Sequence, residues 1–350
     1  MKITGIKTHI FSSQHRNAKR NWLILRLTTD EGIEGIGEAS MLSHDPMVAT
    51  LLHEWTEAYL VGKNPLHHEV HWTRMYQDNL GRGGRLFSTA LSGIDIALWD
   101  LRGKALGVPV YELLGGPYTD RIRVYANGWY TNPGLPEQNA EEALRVEAQL
   151  AEDRVAAVRE AVGPNVEILV EVHAKFNVYT AIHLGKRLEQ YRPFWFEEPV
   201  SQENVSEMKQ VRDNVNIPIA TGERLYTKFP FFELVKNEAV DILQPDMCNA
   251  GGITELKKIA AIAEPQHIMM APHNTNAAVG TVASFHLDAA MPNFLIQEYH
   301  AEFYEPHYFE VFDGLPRQKN GYVELPKGAG LGLTFNEEVA NAHPHMPLDH

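Results

Sequence analysis

Cysteine is almost missing: Cys248 is the only one in 350 residues. With no second thiol the chain can form neither an internal disulfide nor a thiolate metal cluster, and a reducing, cytoplasmic compartment is expected. Positive charge is also scarce. There are 31 Lys and Arg against 45 Asp and Glu, a net charge of -14, and no basic run stands out. Neither a nucleic-acid partner nor an anionic membrane surface is therefore expected. No segment approaches the ~20 apolar residues of a membrane span. The opening MKITGIKTHIF alternates like a strand and does not read as an export signal.

What the chain has is length and rhythm. It exceeds the roughly 250 to 300 residues at which a single core stops growing, so a barrel plus a cap is expected. Met1 to Phe11 and Trp22 to Gly37 read as antiparallel strands, the second pair turning at Thr29-Asp30-Glu31-Gly32, with the polar SSQHRNAKR between them. From about Met47 to Leu114 the pattern is helical: Leu52, Trp55 and Tyr59 share a face, and Ile94, Leu98, Leu101 and Leu106 follow near helical spacing up to Gly107 and Pro109. RVYANGW reads as a first barrel strand, and from Val166 strands alternate with helices, the pattern of a parallel α/β barrel. The expected architecture is a parallel α/β barrel over residues 121–304. An α+β capping domain is formed by residues 1–120 and the tail 305–350. The tail, with LPKGAGLGL, suits packing back on the cap.

Six polar residues keep the beat of the second half. Glu171, Glu197, Glu223, Asp246, His273 and Glu298 are separated by 26, 26, 23, 27 and 25 positions, by subtraction of their numbers, and each ends or nearly ends a short apolar run. The C-terminal ends of parallel barrel strands are where such enzymes keep their chemistry. The beat fails once. Asn127 to Glu171 spans 44 positions by the same subtraction, without a strand-like run before Val166. Either the chain lacks a second barrel strand, leaving an unpaired edge that a closed barrel forbids, or a segment is absent between about 139 and 151. The second reading is preferred.

Any one of these glutamates alone would be read as a solvated loop acid. Three in register, Glu171, Glu197 and Glu223, would converge at the barrel mouth and need a cation; oxygen ligands select a hard ion, Mg²⁺ before Mn²⁺ or Ca²⁺. Asp246 could orient the His273 imidazole and raise its basicity, making a general base, although a loop histidine is the plain alternative. His173, two residues beyond Glu171, would point the same way if the strand alternates. Glu298 could hold a substrate carboxylate or serve as a structural acid. Weaker binding candidates are Asn127 and Trp129 at the end of the first barrel strand, Arg224 beside Glu223, and His44, Arg82 and Arg85 in Gly-rich or polar cap loops.

Together these six positions, with FEEP, TGER, QPD before GGIT, APH and IQE, resemble the enolase superfamily in its mandelate-racemase-like branch. EGIEGIGEAS, ALSGIDIALWDLRGKALGVPVYELLGG and LPKGAGLGL are similar to that branch's cap, and the resemblance implies an α/β modified TIM barrel, (β/α)7β. The EVH at Glu171 to His173 is similar to the acid-X-His of its sugar-acid dehydratases, typified by galactonate, gluconate and mannonate dehydratases. The first ligand of that branch is commonly Asp, where this chain has Glu171. The resemblance implies Mg²⁺-dependent dehydration of an aldonate or aldarate to a 2-keto-3-deoxy acid through an enediolate; a Lys or His base working with Mg²⁺ is a known pairing in these sites. It implies His273 as base, Asp246 as its partner, His173 as acid and Glu298 on the carboxylate, in a homo-oligomer of two to eight subunits.

Other readings stay open. A sugar-acid racemase or epimerase would share every ligand, with its second base on the unread second strand. A paired-carboxylate glycosidase fits a metal-like cluster of acids less well. A Schiff-base aldolase lacks its strand-end lysine. A barrel decayed to a binding role is the non-enzyme reading.

Overall fold

A computed structural model describes the chain apart from residues 16–17, 42, 80–82, 128–147, 301–306 and 347–350. The chain begins with an antiparallel meander, β1 (Ile3–His15), β2 (Ala18–Thr29) and β3 (Glu34–Glu38). The β1–β2 hairpin pairs without interruption from Ile6↔Leu27 out to His15↔Ala18. Of the polar segment, Ser12–His15 thus lengthen β1 and Ala18–Arg20 begin β2. Helices α1 (Asp45–Trp55), α2 (His68–Asp78), α3 (Arg85–Leu106) and α4 (Val110–Leu114) follow. The α3 helix lies directly on β3 because Gly35, Gly37 and Gly93 leave no side chain between them. A Cβ at Gly37 would stand 2.1 Å from the Gly93 carbonyl oxygen. Leu23, Leu25, Leu27, Leu52, Trp72, Ile94 and Leu98 close this cap core.

The barrel is built of short strands: β4 (Arg121–Tyr125), β5 (Leu169–Glu171), β6 (Trp195–Glu197), β7 (Ile219–Thr221), β8 (Ile242–Leu243), β9 (Met269–Met270) and β10 (Gln297–Glu298). The strands β5 to β9 pair in parallel in chain order, and β10 pairs in parallel with β4. Between the two groups, a bridge from Met270 to Phe294 carries the sheet onward. Alternation then sorts the side chains. Tyr125, Leu169, Trp195, Ala220, Ile242, Ala271 and Ile296 form the inner layer. Phe196, Ile219, Leu243 and Met270 face the surrounding helices. Two residues above the inner layer stand Asn127, Glu171, Glu197, Gln244, His273 and Glu298.

The tail does more than return to the cap. It binds there through Asn21 Nδ2, which donates to the Met346 carbonyl at 2.8 Å, and through the Arg26–Glu337 ion pair. After a short β11 (Phe312–Asp313), it also lays β12 (Tyr322–Glu324) antiparallel against β4. Since Val124 N donates to Gly321 O while Tyr125 O accepts from Tyr299 N, β12 covers the edge of β4 away from β10. Among the described residues no parallel strand stands between β4 and β5. The interval expected to be incomplete, 139–151, falls outside the described residues as far as 147.

Candidate active site

The carboxylates at the ends of β5, β6 and β7 arrive by different backbone routes. Glu171 and Glu197 are the last residues of their strands and inherit the inward side of the pleat. Glu223 comes two residues after β7 through Gly222 at φ 146°, where a Cβ would meet the Phe231 ring at 2.8 Å and Gln244 backbone at 3.0 Å. The alternation argument does not apply to His173. The strand stops at Glu171, and His173 and Ala174 turn through φ 48° and 56°, so alternation is not what aims the imidazole. Its Nε2 nevertheless lies 3.4 Å from Glu171 Oε2, and its backbone N–H donates to Glu171 Oε1 at 3.1 Å. With Glu198 at φ 42°, three non-glycine residues in the left-handed region cluster at this rim, each an arrangement that costs about 1 to 3 kcal/mol.

Glu171, His173 and Glu223 can offer ligand atoms that all lie within 4.8 Å of one another. Glu197 is not in that group: it is 5% exposed, and its Oε2 accepts from Trp195 Nε1 at 2.8 Å. Electrostatically it belongs with them. Burial, then the charges of Glu197, Glu223 and Glu198, push Glu171 well above the usual carboxylate range. Glu197 is pushed up to about 7, by burial first and the neighbouring acids after it. Glu198, the next residue in the chain, reaches about 8 through burial and the charge of Glu223. Four acids so crowded form the environment that a hard divalent cation relieves, and oxygen-rich ligation is what such a cation takes. The donor set therefore fits Mg²⁺.

On the other side of Glu223 lies the dyad. His273 Nδ1 donates to Asp246 Oδ2 at 2.7 Å, the carboxylate being able only to accept. Its Nε2 stands 3.1 Å from Glu223 Oε2 and 4.0 Å from Glu298 Oε2. Burial alone would lower the imidazole pKa, but Glu223, Glu298 and Asp246 overcome it and hold the pKa well above the ordinary value. Glu223 moves the opposite way: burial opposes the shift, while His273, His173 and Arg224 pull it down. Glu298, buried and raised by that burial, accepts from Asn274 N at 2.8 Å and from Asn127 Nδ2.

The weaker candidates separate. Asn127 sits in the site, on Glu298. Arg224 also sits there, its Nε 3.1 Å from both Glu223 Oε1 and Glu198 Oε2, which makes it a counter-ion to the acids. His44 is exposed at the start of α1. Trp129 and Arg82 lie outside the described residues, and Arg85 opens α3. Sequence reasoning passed over Glu198. The second acid of FEEP was the signal for Glu198; Arg20 lay within a noted polar segment, but its reach of 2.9 Å from Nη1 to the Thr275 carbonyl depends on the hairpin running unbroken.

Family models now decide the relationship. Residues 6–115 match the mandelate racemase / muconate lactonizing enzyme N-terminal domain, and residues 127–339 match the enolase C-terminal domain-like family. The chain belongs to the mandelate racemase / muconate lactonizing enzyme family. Its relatives include a D-xylonate dehydratase of Haloferax volcanii, 35% identical with 98% of this chain and 89% of that one covered. A D-galactonate dehydratase of Verminephrobacter eiseniae is also 35% identical, with 97% and 93% covered. Among solved structures, an enolase-superfamily member from Salmonella Typhimurium superposes with a TM-score of 0.88 at 32% identity, covering 98% of each chain.

Proposed function

We propose that this protein dehydrates a sugar acid, an aldonate or aldarate, to a 2-keto-3-deoxy acid, as a Mg²⁺-dependent hydro-lyase. The observation that carries the reading is the His273–Asp246 pair, at 2.7 Å, aimed into a crowd of carboxylates that includes Glu171, Glu197 and Glu223. Relatives named as xylonate and galactonate dehydratases support the substrate class.

Glu171 and Glu223 would hold the ion, with Glu197 close behind. His173 belongs to the same cluster, but Mg²⁺ takes oxygen in preference to nitrogen, which leaves the imidazole for proton transfer. The bound ion would act as a Lewis acid on the substrate carboxylate and make its α-proton removable. With the Glu223 charge that raises the His273 pKa taken up by the ion, His273 would be free to accept that proton at Nε2, Nδ1 being committed to Asp246. Asp246 fixes the ring and balances the imidazolium that forms. His173, on the opposite side of Glu223, donates a proton to the departing β-hydroxyl; water leaves, and the enol becomes the ketone. Glu298, steadied by Asn274 and Asn127, supports the substrate carboxylate.

Incubation with a panel of mono- and diacid sugars in Mg²⁺, with semicarbazide detection of keto acids, tests this. A keto acid that disappears on chelation of the metal is expected. Inversion of the α-carbon without keto acid would favour racemisation, and neither product from any substrate would leave the barrel a binding protein.

A further inference from the structure

The stretch bearing His273 is tied at each of its residues, and two of the ties come from the cap. Asn274 N donates to Glu298 Oε2 at 2.8 Å, and the Thr275 carbonyl accepts from Arg20. Asn276 Nδ2 donates to Asp246 Oδ2 at 3.1 Å, sharing that oxygen with His273, while its carbonyl accepts from the Tyr308 hydroxyl at 2.6 Å. The helix Ala278–Ala289 then begins. A helix start ordinarily takes a side-chain oxygen from its own first residue, and Ala277 has none. Glu38, at the end of β3, supplies it instead: Oε1 accepts from Ala277 N at 2.7 Å and Oε2 from Gly280 N at 2.8 Å. Ser40 Oγ donates to the same Oε1 at 2.8 Å. Glu38 is fully buried, and Gly280 must be small here, because a Cβ would stand 2.6 Å from Cys248 Sγ.

A serine or asparagine at position 277 would have satisfied the Gly280 N–H locally, though not the N–H of residue 277 itself. A carboxylate brought across 239 residues does something a local cap does not: it ties the base loop to the cap strand. We propose that Glu38 is a positioning residue for proton abstraction, holding the segment from His273 to Ala277 so that His273 Nε2 stands where the α-proton is taken. This rests on the reading of His273 as the base. In Glu38→Gln the volume is kept, but one acceptor becomes an NH₂ donor facing a backbone N–H. The helix start then shifts, and Asn276, which shares Asp246 with His273, moves with it.

The test compares wild type, Glu38→Gln and His273→Asn as full-length proteins in Mg²⁺, on the sugar acid that the wild type turns over. Glu38→Gln should lower kcat roughly 10- to 100-fold, the scale on which small misplacements act, with KM within about twofold. The isotope effect on kcat with α-deuterated substrate should rise, because proton removal becomes the slow step. An unchanged kcat, or a fall in kcat matched by a rise in KM with the isotope effect unmoved, overturns the proposal while leaving His273 in its role. Surviving α-proton exchange in His273→Asn overturns the base reading and this inference with it. If Glu38→Gln does not fold by circular dichroism, Ser40→Ala takes its place. It removes one donor to the same carboxylate, and a smaller fall in kcat with the isotope effect raised is expected; no change in either overturns the proposal.

Discussion

Glu223 is the residue on which the two halves of the site meet. One carboxylate oxygen accepts from Arg224, the other faces His273, and the charge of His173 also reaches it. The two histidines therefore both act on one carboxylate, and the proposed mechanism divides proton removal from proton delivery between them. His273→Asn keeps a group able to hydrogen-bond Asp246 but removes the proposed base, so exchange of the substrate α-proton in D₂O should fall by at least about 100-fold. His173→Asn should keep that exchange and lose keto-acid formation by a similar factor. Nuclear magnetic resonance of the substrate reads both, and equal loss of exchange in the two variants would refute the division of labour.

At the scale of elements, small residues decide how closely the cap's layers approach. The contact of α3 with β3 is backbone against backbone at Gly35, Gly37 and Gly93. Gly37→Val would drive a branched side chain into the Gly93 carbonyl, and overpacking of this kind costs about 1 to 3 kcal/mol. Urea denaturation should show a lower midpoint with the slope unchanged; an unchanged midpoint would mean that the layers separate freely. The same helix reaches the barrel. Trp99 Nε1 donates to Thr254 Oγ1 at 2.8 Å, and Ser92 Oγ accepts from Gly251 N at 2.9 Å, just after the Asp246 loop. The cap thus braces the loop of Asp246 through α3 and the loop of His273 through Glu38 and Arg20.

Across the whole molecule, His286 joins three regions. From the helix Ala278–Ala289 its Nδ1 accepts from Tyr111 N of α4 at 3.3 Å, and its Nε2 lies 3.2 Å from the Leu331 carbonyl of the tail. That geometry suits the neutral imidazole, and burial lowers the pKa to about 4. With the folded pKa depressed, the unfolded chain binds the proton more readily, so stability is full above about 6.5 and is lost as pH falls toward 4. The loss attributable to His286 between pH 7 and pH 5 should be about 2 kcal/mol. It is read as the difference between wild type and His286→Gln, because buried Glu38 and Asp95, both raised to about 7 by burial, act in the opposite sense. Parallel pH profiles for the two proteins would rule out the linkage.

The sequence by itself determined the barrel and the ends of its strands, because hydrophobic alternation and strand-to-strand spacing are local properties repeated along the chain. It thereby picked out Glu171, Glu197, Glu223, Asp246, His273 and Glu298, and the family resemblance to go with them. It could not say that Glu197 stands back against Trp195, that His173 arrives by a left-handed turn, or that β12 covers the edge of β4. Nor could it join Glu38 to Ala277 and Gly280, or Arg20 to Thr275. Those depend on how cap and barrel dock, and contacts between residues more than two hundred positions apart exist only once both have folded.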